Sequence, residues 1–323
     1  MNELIVRHDD SLDELMRTLE FRKMHPTDVW GYPCGFDRLD KATGGIRFKS
    51  DDTPGDSNEM TVVGARSGVG KSAFGMSVSL SVARKFKREY PGLEVRIFLM
   101  EMDPAQVQKR LVAQMAGVPI YELSTGRYSS PGAWDRIEKA SKKLKGLPIV
   151  YRKGAASVDA IGSFVKGRNT RDDRYCGFWM LDHIGLVPTD AGRNSNTSFV
   201  LGTVSRSLHE LCRSVAPGYV LCQLNRESLK RKDPTPTAAD LYGSDRIMQD
   251  TDNLLLLHRP KLYTNGGDGE ARPATPDDDA EMAQIIVEKQ RDGAAGKVIP
   301  MNYVPRYAMW ADIQEDEVED EPV

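Results

Sequence analysis

Met60 to Ser72 read MTVVGARSGVGKS, and this stretch decides the fold. The apolar run Met60 to Val63 predicts a buried strand. It leads into Ala65, Arg66, Ser67, Gly68, Val69, Gly70, Lys71 and Ser72, and a long helical pattern follows. Strand, glycine-bearing loop and helix, in that order, let successive backbone N–H groups wrap a polyphosphate at the positive end of a helix. Gly70 lets the backbone close in without a Cβ. Lys71 is placed to reach the outer phosphates, and the Ser72 hydroxyl to ligate Mg²⁺. The strict pattern has Gly where Ala65 stands, but Ala is small and Gly64 is adjacent. An ordinary glycine turn before a helix is the plainer alternative. Gly-Lys-Ser directly after an apolar strand argues against it.

The chain has 323 residues, enough for one large α/β domain or two smaller ones. Its hydrophobic content of 40% supports a real core. The net charge of −3 is near neutral and suggests no broad electrostatic footprint for nucleic acid, so any such contact is expected to be local. Glu315, Asp316, Glu317, Glu319, Asp320 and Glu321 crowd the C-terminal tail, which leaves the body mildly basic. Cys34, Cys176, Cys212 and Cys222 form no CxxC pair and have no zinc-ligand spacing, which predicts buried thiols in a reducing cytoplasm. The N-terminus carries charges where a signal peptide has its apolar core, and no run reaches transmembrane length; no membrane contact is expected.

Outward from the loop, strands alternate with helices. Before it, residues 11–25 place Leu12, Leu15, Met16, Leu19 and Met24 near helical spacing, with Ser11 and Glu14 as a capping pair. Such a helix packs on its own core or docks on a neighbour. Phe36, Leu39 and Ala42 predict a short helical turn, and residues 47–58 a surface loop. After the loop, one helix runs to about Tyr90. Strands are expected at Val95 to Met100, Leu147 to Tyr151, Phe178 to Leu181 and Tyr219 to Leu224. Helices are expected from Pro104 to about Ala116, after Ser130, around Val158 to Val165, and from Phe199 to Val215. Leu254 to Leu257, Ala283 to Val287 and Val298 to Tyr303 predict further strands, separated by a polar loop at Gly266 to Asp279. The expected fold is therefore α/β: a mostly parallel central sheet with an antiparallel C-terminal extension.

Ligands of open α/β sheets sit at the carboxyl ends of the strands. Asp182 closes an apolar run there, the pattern of a residue holding a Mg²⁺ shell. Glu101 either orients or deprotonates an attacking water, or is a solvated strand-end acid. Gln223 either hydrogen-bonds the γ-phosphate or the water, or is a buried amide satisfying backbone. Lys289 and Arg291 alternate by two, so on a strand they share a face. They act within the chain, reach a neighbour's nucleotide, or protect a strand edge with charge.

The segments GFDRLDKATGG, ARSGVGKS, IFLMEM, MLDHIGL, LCQLNR, DLYGSDRIMQDTD and EKQRDGAAG occur in the order found in DnaB-type replicative helicases, which the chain resembles over roughly residues 31–310. The resemblance implies a RecA-like P-loop NTPase domain, with helices on both faces of its sheet. It implies an ATP-hydrolysing DNA helicase and translocase of DNA replication: a homohexameric ring that hydrolyses ATP between subunits and pulls single-stranded DNA through its centre. Lys71 and Ser72 then match the nucleotide loop, Glu101 the catalytic glutamate, Asp182 the magnesium aspartate and Gln223 the polar sensor. Lys289 and Arg291 match the pair that reaches into the adjacent subunit's site. ATP and Mg²⁺ are the implied cofactors, and a primase or a loader the further class of partner.

Departures from the family pattern are visible. His183 follows Asp182 where tyrosine is usual. The DNA loop, usually Asp-Leu-Arg-Glu-Ser-Gly, reads Asp240-Leu-Tyr-Gly-Ser-Asp245, which replaces arginine with Tyr242 and the closing glycine with Asp245. That change keeps a second expectation open: a nucleotide-controlled assembly or regulatory ATPase without strand unwinding. Arg193, Arg206, Arg226, Lys230, Arg231 and Lys232 lie nearby in sequence, each read as solvated surface before DNA contact. Residues 1–30 are read as a linker or docking helix, 31–312 as the ATPase motor and 313–323 as the acidic tail. With only residues 1–30 before the motor, the family's N-terminal collar domain is not expected, which suggests a phage or plasmid helicase or a specialised paralogue.

Overall fold

The computed structural model describes residues 7–50, 57–189, 197–225, 231–241, 244–263 and 280–313. The polar loop at 266–279, Tyr242, Arg193, Arg226, Lys230 and the acidic tail lie outside them. In chain order the elements are α1 (His8–Met24), α2 (Asp37–Thr43), β1 (Met60–Ala65), α3 (Lys71–Glu89), β2 (Leu93–Leu99), α4 (Pro104–Ala116), α5 (Ile120–Thr125), α6 (Ala133–Leu144) and β3 (Ile149–Lys153). The second half runs α7 (Val158–Lys166), β4 (Tyr175–Asp182), α8 (Thr197–Ser214), β5 (Gly218–Gln223), α9 (Ser244–Asp250), β6 (Asn253–His258), β7 (Glu281–Gln290), β8 (Lys297–Val304) and β9 (Met309–Asp312).

The strands form one nine-stranded sheet in the order β3-β2-β4-β5-β1-β6-β7-β8-β9. The pairings from β3 through β6 are all parallel. Those from β6 to β9 are antiparallel. The fold is thus α/β and RecA-like, with the expected antiparallel extension. Alternation along each core strand supplies both faces. Val63, Phe178, Met180, Leu221 and Leu255 join one apolar core with Leu39 of α2, Phe74 and Phe86 of α3 and Leu111 of α4. Val62, Trp179, Leu181, Val220 and Leu254 join the other with Ile161 of α7, Leu208 of α8 and Ile247 of α9. Strands buried on both faces read as continuous apolar runs, which is why the sequence shows them so clearly.

Close approaches fix the layers around the loop. A Cβ on Gly75 of α3 would lie 2.4 Å from Met180 Sδ, so α3 seats directly on β4. A Cβ on Gly218 would lie 2.3 Å from the Trp179 ring. Both contacts are far below van der Waals distance, and only glycine fits.

α1 departs from expectation at its start. It begins at His8 after Arg7, which makes no side-chain cap, and not at Ser11. Asp9 and Asp10 fall in its first turn, where carboxylates complement the helix dipole without a capping pair. Leu12, Leu15, Met16 and Leu19 remain about half exposed, at 48%, 48%, 48% and 46%. They therefore do not pack into the core of their own chain. The four cysteines are free and buried. Among the described residues no helix is long and apolar enough to cross a membrane.

Candidate active site

The loop leaves β1 at Ala65, which is fully buried and in register with Gln223 of β5. Gly68 and Gly70 have φ of 79° and 106°, left-handed values that glycine adopts without strain. α3 starts at Lys71, with Gly70 as its N-cap. Its unpaired N-terminal N–H groups therefore face the loop.

A cleft of about 300 Å³ opens over this helix end. Ser67, Gly68, Gly70, Lys71, Ser72, Glu101 and Gln223 line it, together with Arg110, Tyr303 and Ala308. Lys71, Ser72, Glu101 and Gln223, singled out in sequence, thus meet in one place. Both Glu101 and Gln223 are exposed there. The alternative of a buried amide at Gln223 is overturned. Asp182 lies just behind, 2% exposed, its Oδ1 3.6 Å from Lys71 Nζ. That oxygen is buried and makes no hydrogen bond. A buried carboxylate oxygen beside the phosphate loop that no hydrogen bond satisfies suits a divalent cation. Among the described residues no group of three or more His, Cys, Asp or Glu is placed to hold a metal. Mg²⁺ needs none here, because it binds through one or two side chains, waters and substrate phosphates. The donor set of Ser72 and Asp182 therefore fits it.

His183 is half-buried, and its Nδ1 accepts from the Gly185 N–H at 3.2 Å. Burial lowers its pKa, and the charge on Lys71 lowers it further against the pull of Asp182 and Glu101. With one ring nitrogen committed to the following turn, it behaves as a packing residue that caps that turn.

Arg66 also lines the cleft. It donates to the Pro234 carbonyl, and its guanidinium lies 4.5 Å from the Tyr263 ring centroid. Arg231, expected as solvated surface, is exposed and also makes a forked pair with Asp240 at 2.9 and 2.7 Å. That pair anchors the segment just before Tyr242.

Lys289 and Arg291 are not among the residues lining the cleft of their own chain. β7 ends at Gln290, so Arg291 lies just beyond the strand. The expected shared strand face is thus cut short, yet both cations reach residues 248–252. Lys289 Nζ donates to the Met248 carbonyl at 2.7 Å and to that of Thr251, closing the C-terminal end of α9. Burial lowers its pKa, which the nearby Asp252 opposes. Arg291 Nη1 bonds Asp252 Oδ1 at 2.6 Å, which raises its pKa. The reading in which they act within the chain is not supported.

Sequence reasoning missed the outer wall. Arg259 (2% exposed) donates to the Gly68 and Val69 carbonyls at 3.1 and 3.5 Å. Trp310 Nε1 donates to the Gly70 carbonyl at 3.1 Å. A signal existed for Arg259: a cation closing the apolar run LLLLH. None existed for Trp310.

Fold and site together define a RecA-like phosphate-loop ATPase domain. More narrowly, the profile of the DnaB-like helicase C-terminal domain matches residues 31–312, and the chain belongs to that family. Similar proteins include the replicative DNA helicase DnaB of Geobacillus stearothermophilus, 25% identical over 306 residues, covering 94% of this chain and 62% of the relative. The replicative DNA helicase DnaB of Pasteurella multocida is 27% identical over 272 residues, covering 84% of this chain and 53% of the relative. The chain thus spans between about half and three-fifths of these relatives. Two solved structures share the fold at a TM-score of 0.76 and 20% identity, each covering 94% of this chain. One is a DnaB-like replicative helicase described with its primase interactions, of which 66% is covered. The other is described as an ATPase domain, of which 99% is covered.

Proposed function

We propose that this chain is the motor of an ATP-dependent DNA helicase, hydrolysing ATP between subunits of a homohexameric ring and translocating on single-stranded DNA during replication. The observation that carries this reading is the meeting of Lys71, Ser72, Glu101 and Gln223 in one cleft, beside a buried Asp182 oxygen that makes no hydrogen bond, in a DnaB-like chain. Backbone N–H groups of the loop and the start of α3 bind the polyphosphate. Lys71 turns from Asp182 to the outer phosphates. Glu101 orients the attacking water and takes its proton, and Gln223 hydrogen-bonds that water or the γ-phosphate. Ser72 and Asp182 would hold Mg²⁺, which when bound neutralises charge on the phosphates.

Arg291 and Lys289 are assigned to the nucleotide of the next subunit. Reaching it exchanges Asp252 for phosphate oxygens at Arg291. Residues 1–30 are assigned as a linker whose half-exposed leucine face docks on a neighbouring subunit. Residues 31–312 form the motor and 313–323 an acidic tail. The free, buried cysteines support a reducing cytoplasm. A primase or loader is the expected partner, since a similar solved helicase is described with primase.

The test is ATP turnover with and without poly(dT). Stimulation by the polymer is expected. Turnover indifferent to it replaces the translocase with a nucleotide-controlled assembly ATPase. No turnover under either condition removes both.

A further inference from the structure

The carbonyls of the phosphate loop are braced by side chains that none of the sequence motifs contains. Arg259 follows β6 and is 2% exposed. Its Nη1 reaches the carbonyls of Gly68 and Val69 at 3.1 and 3.5 Å. Its Nε and Nη2 both bond Glu281 Oε2, at 3.2 and 2.6 Å. Its guanidinium carbon lies 3.8 Å from the Tyr303 ring centroid. Trp310 of β9 is also 2% exposed, and its Nε1 donates to the Gly70 carbonyl at 3.1 Å. That carbonyl also accepts the first helical bond, from Phe74 N at 3.0 Å. The indole is held edge-on between Phe74 and Tyr303, at centroid distances of 6.1 and 5.5 Å.

These contacts fix which way the peptides face. In a planar trans peptide, C=O and N–H point in opposite directions. Three consecutive carbonyls, from Gly68 to Gly70, are bonded to this wall. The N–H groups of the same peptide units belong to Val69, Gly70 and Lys71. The Val69 N–H closes a turn on Arg66 O at 3.4 Å. Those of Gly70 and Lys71 are left facing the cleft, where a polyphosphate takes them as donors. Glu281 cancels the charge of Arg259, so the guanidinium contributes geometry here and little field. Its fork is what lets one residue hold Glu281 and two carbonyls at once, which an ammonium cannot reproduce.

We propose that Arg259 and Trp310 are positioning residues of the phosphate loop, holding its carbonyls outward so that its N–H groups are pre-aimed at the nucleotide phosphates. The antiparallel extension is then part of the nucleotide site. This rests on the nucleotide reading given above.

The test is equilibrium titration of Mg·ATP, followed with a fluorescent ATP analogue, on the full chain. The key variant is Trp310→Phe, which keeps an aromatic ring but removes the N–H donor together with part of the indole's buried volume, a packing loss that the control below accounts for. Losing one such hydrogen bond is expected to weaken nucleotide binding about fivefold. The KM for ATP should rise by a similar factor and kcat change less. Arg259→Lys is expected to weaken binding further and to lower the melting temperature as well. Phe98→Leu, in the core on the far face of the sheet, serves as the control for general loosening. It should lower the melting temperature and leave binding unchanged. Wild-type binding by Trp310→Phe, or equal weakening in Phe98→Leu, overturns the positioning role and leaves the nucleotide reading standing. A wild-type chain that binds no nucleotide overturns both.

Discussion

His258 offers a quantitative check on the packing behind the phosphate loop. It closes β6, is 4% exposed, and lies parallel to the Tyr263 ring at 5.8 Å between centroids. Arg66 of the loop lies over the Tyr263 ring, 4.5 Å from its centroid. Burial, and then the charge of Arg66, lower the His258 pKa from 6.5 to about 4, with Asp233 opposing weakly. A histidine depressed in the folded state stays neutral there while the unfolded chain takes up a proton. The unfolded state therefore binds more protons between these two values, and stability falls as pH falls. The contribution is fully present above about pH 6.5 and is lost progressively toward pH 4. At 1.36 kcal/mol per unit, the total is about 3 kcal/mol. Roughly 1.4 kcal/mol of it should be gone by pH 5.5 and about 2.5 kcal/mol by pH 4.5. His183 is lowered as well, so the wild type alone is not a clean probe. The measurement is urea unfolding of the wild type and of His258→Asn, from pH 7.5 to 4.5. The difference between the two should shift in favour of the variant by about 2.5 kcal/mol across that range. A difference that stays flat with pH would falsify the assignment of a neutral, buried imidazole beside Arg66.

Lys71→Ala should cut ATP turnover by on the order of 10²-fold or more while the melting temperature hardly moves, read by phosphate release. If turnover persists, Lys71 does not touch the phosphates. Arg291→Ala should lower turnover steeply, and mixing it with wild-type subunits should depress activity more than dilution does. Strictly proportional loss would show that no site is shared. Asp252 is 4% exposed; burial works against its charge, but bonds from His209, the Met60 N–H and Arg291 prevail and hold its pKa at about 2. Asp252→Asn should cost about 2 kcal/mol at pH 7, a gap that closes as pH falls from about 4 toward 2. No gap at pH 7 in urea melts would mean the network contributes nothing.

What the sequence made legible is what local pattern encodes. β1, the loop and α3 were readable because strand, glycines, Lys71 and Ser72 sit side by side. The doubly buried strands β4 and β6 announced themselves as apolar runs, and Asp182 as the acid ending one of them. Short elements such as α5 and β9 carried no such signal. β9 pairs only with β8, over four residues, and its identity depends on Trp310 meeting Gly70, 240 residues away in the chain. Arg259 meets Gly68 across 191 residues, and no periodicity in either segment records that. The pair Lys289 and Arg291 falls between these cases. Their spacing placed them together, and they do converge, but on the carbonyls of Met248 and Thr251 and on Asp252. The tertiary register that ends β7 at Gln290 decided that target. The same reasoning explains why the motifs describe a nucleotide's contacts better than the shape that receives them. Residues that touch a ligand are selected by chemistry that a short segment can display. Residues that aim the backbone at it can come from any part of the chain that folds behind the loop.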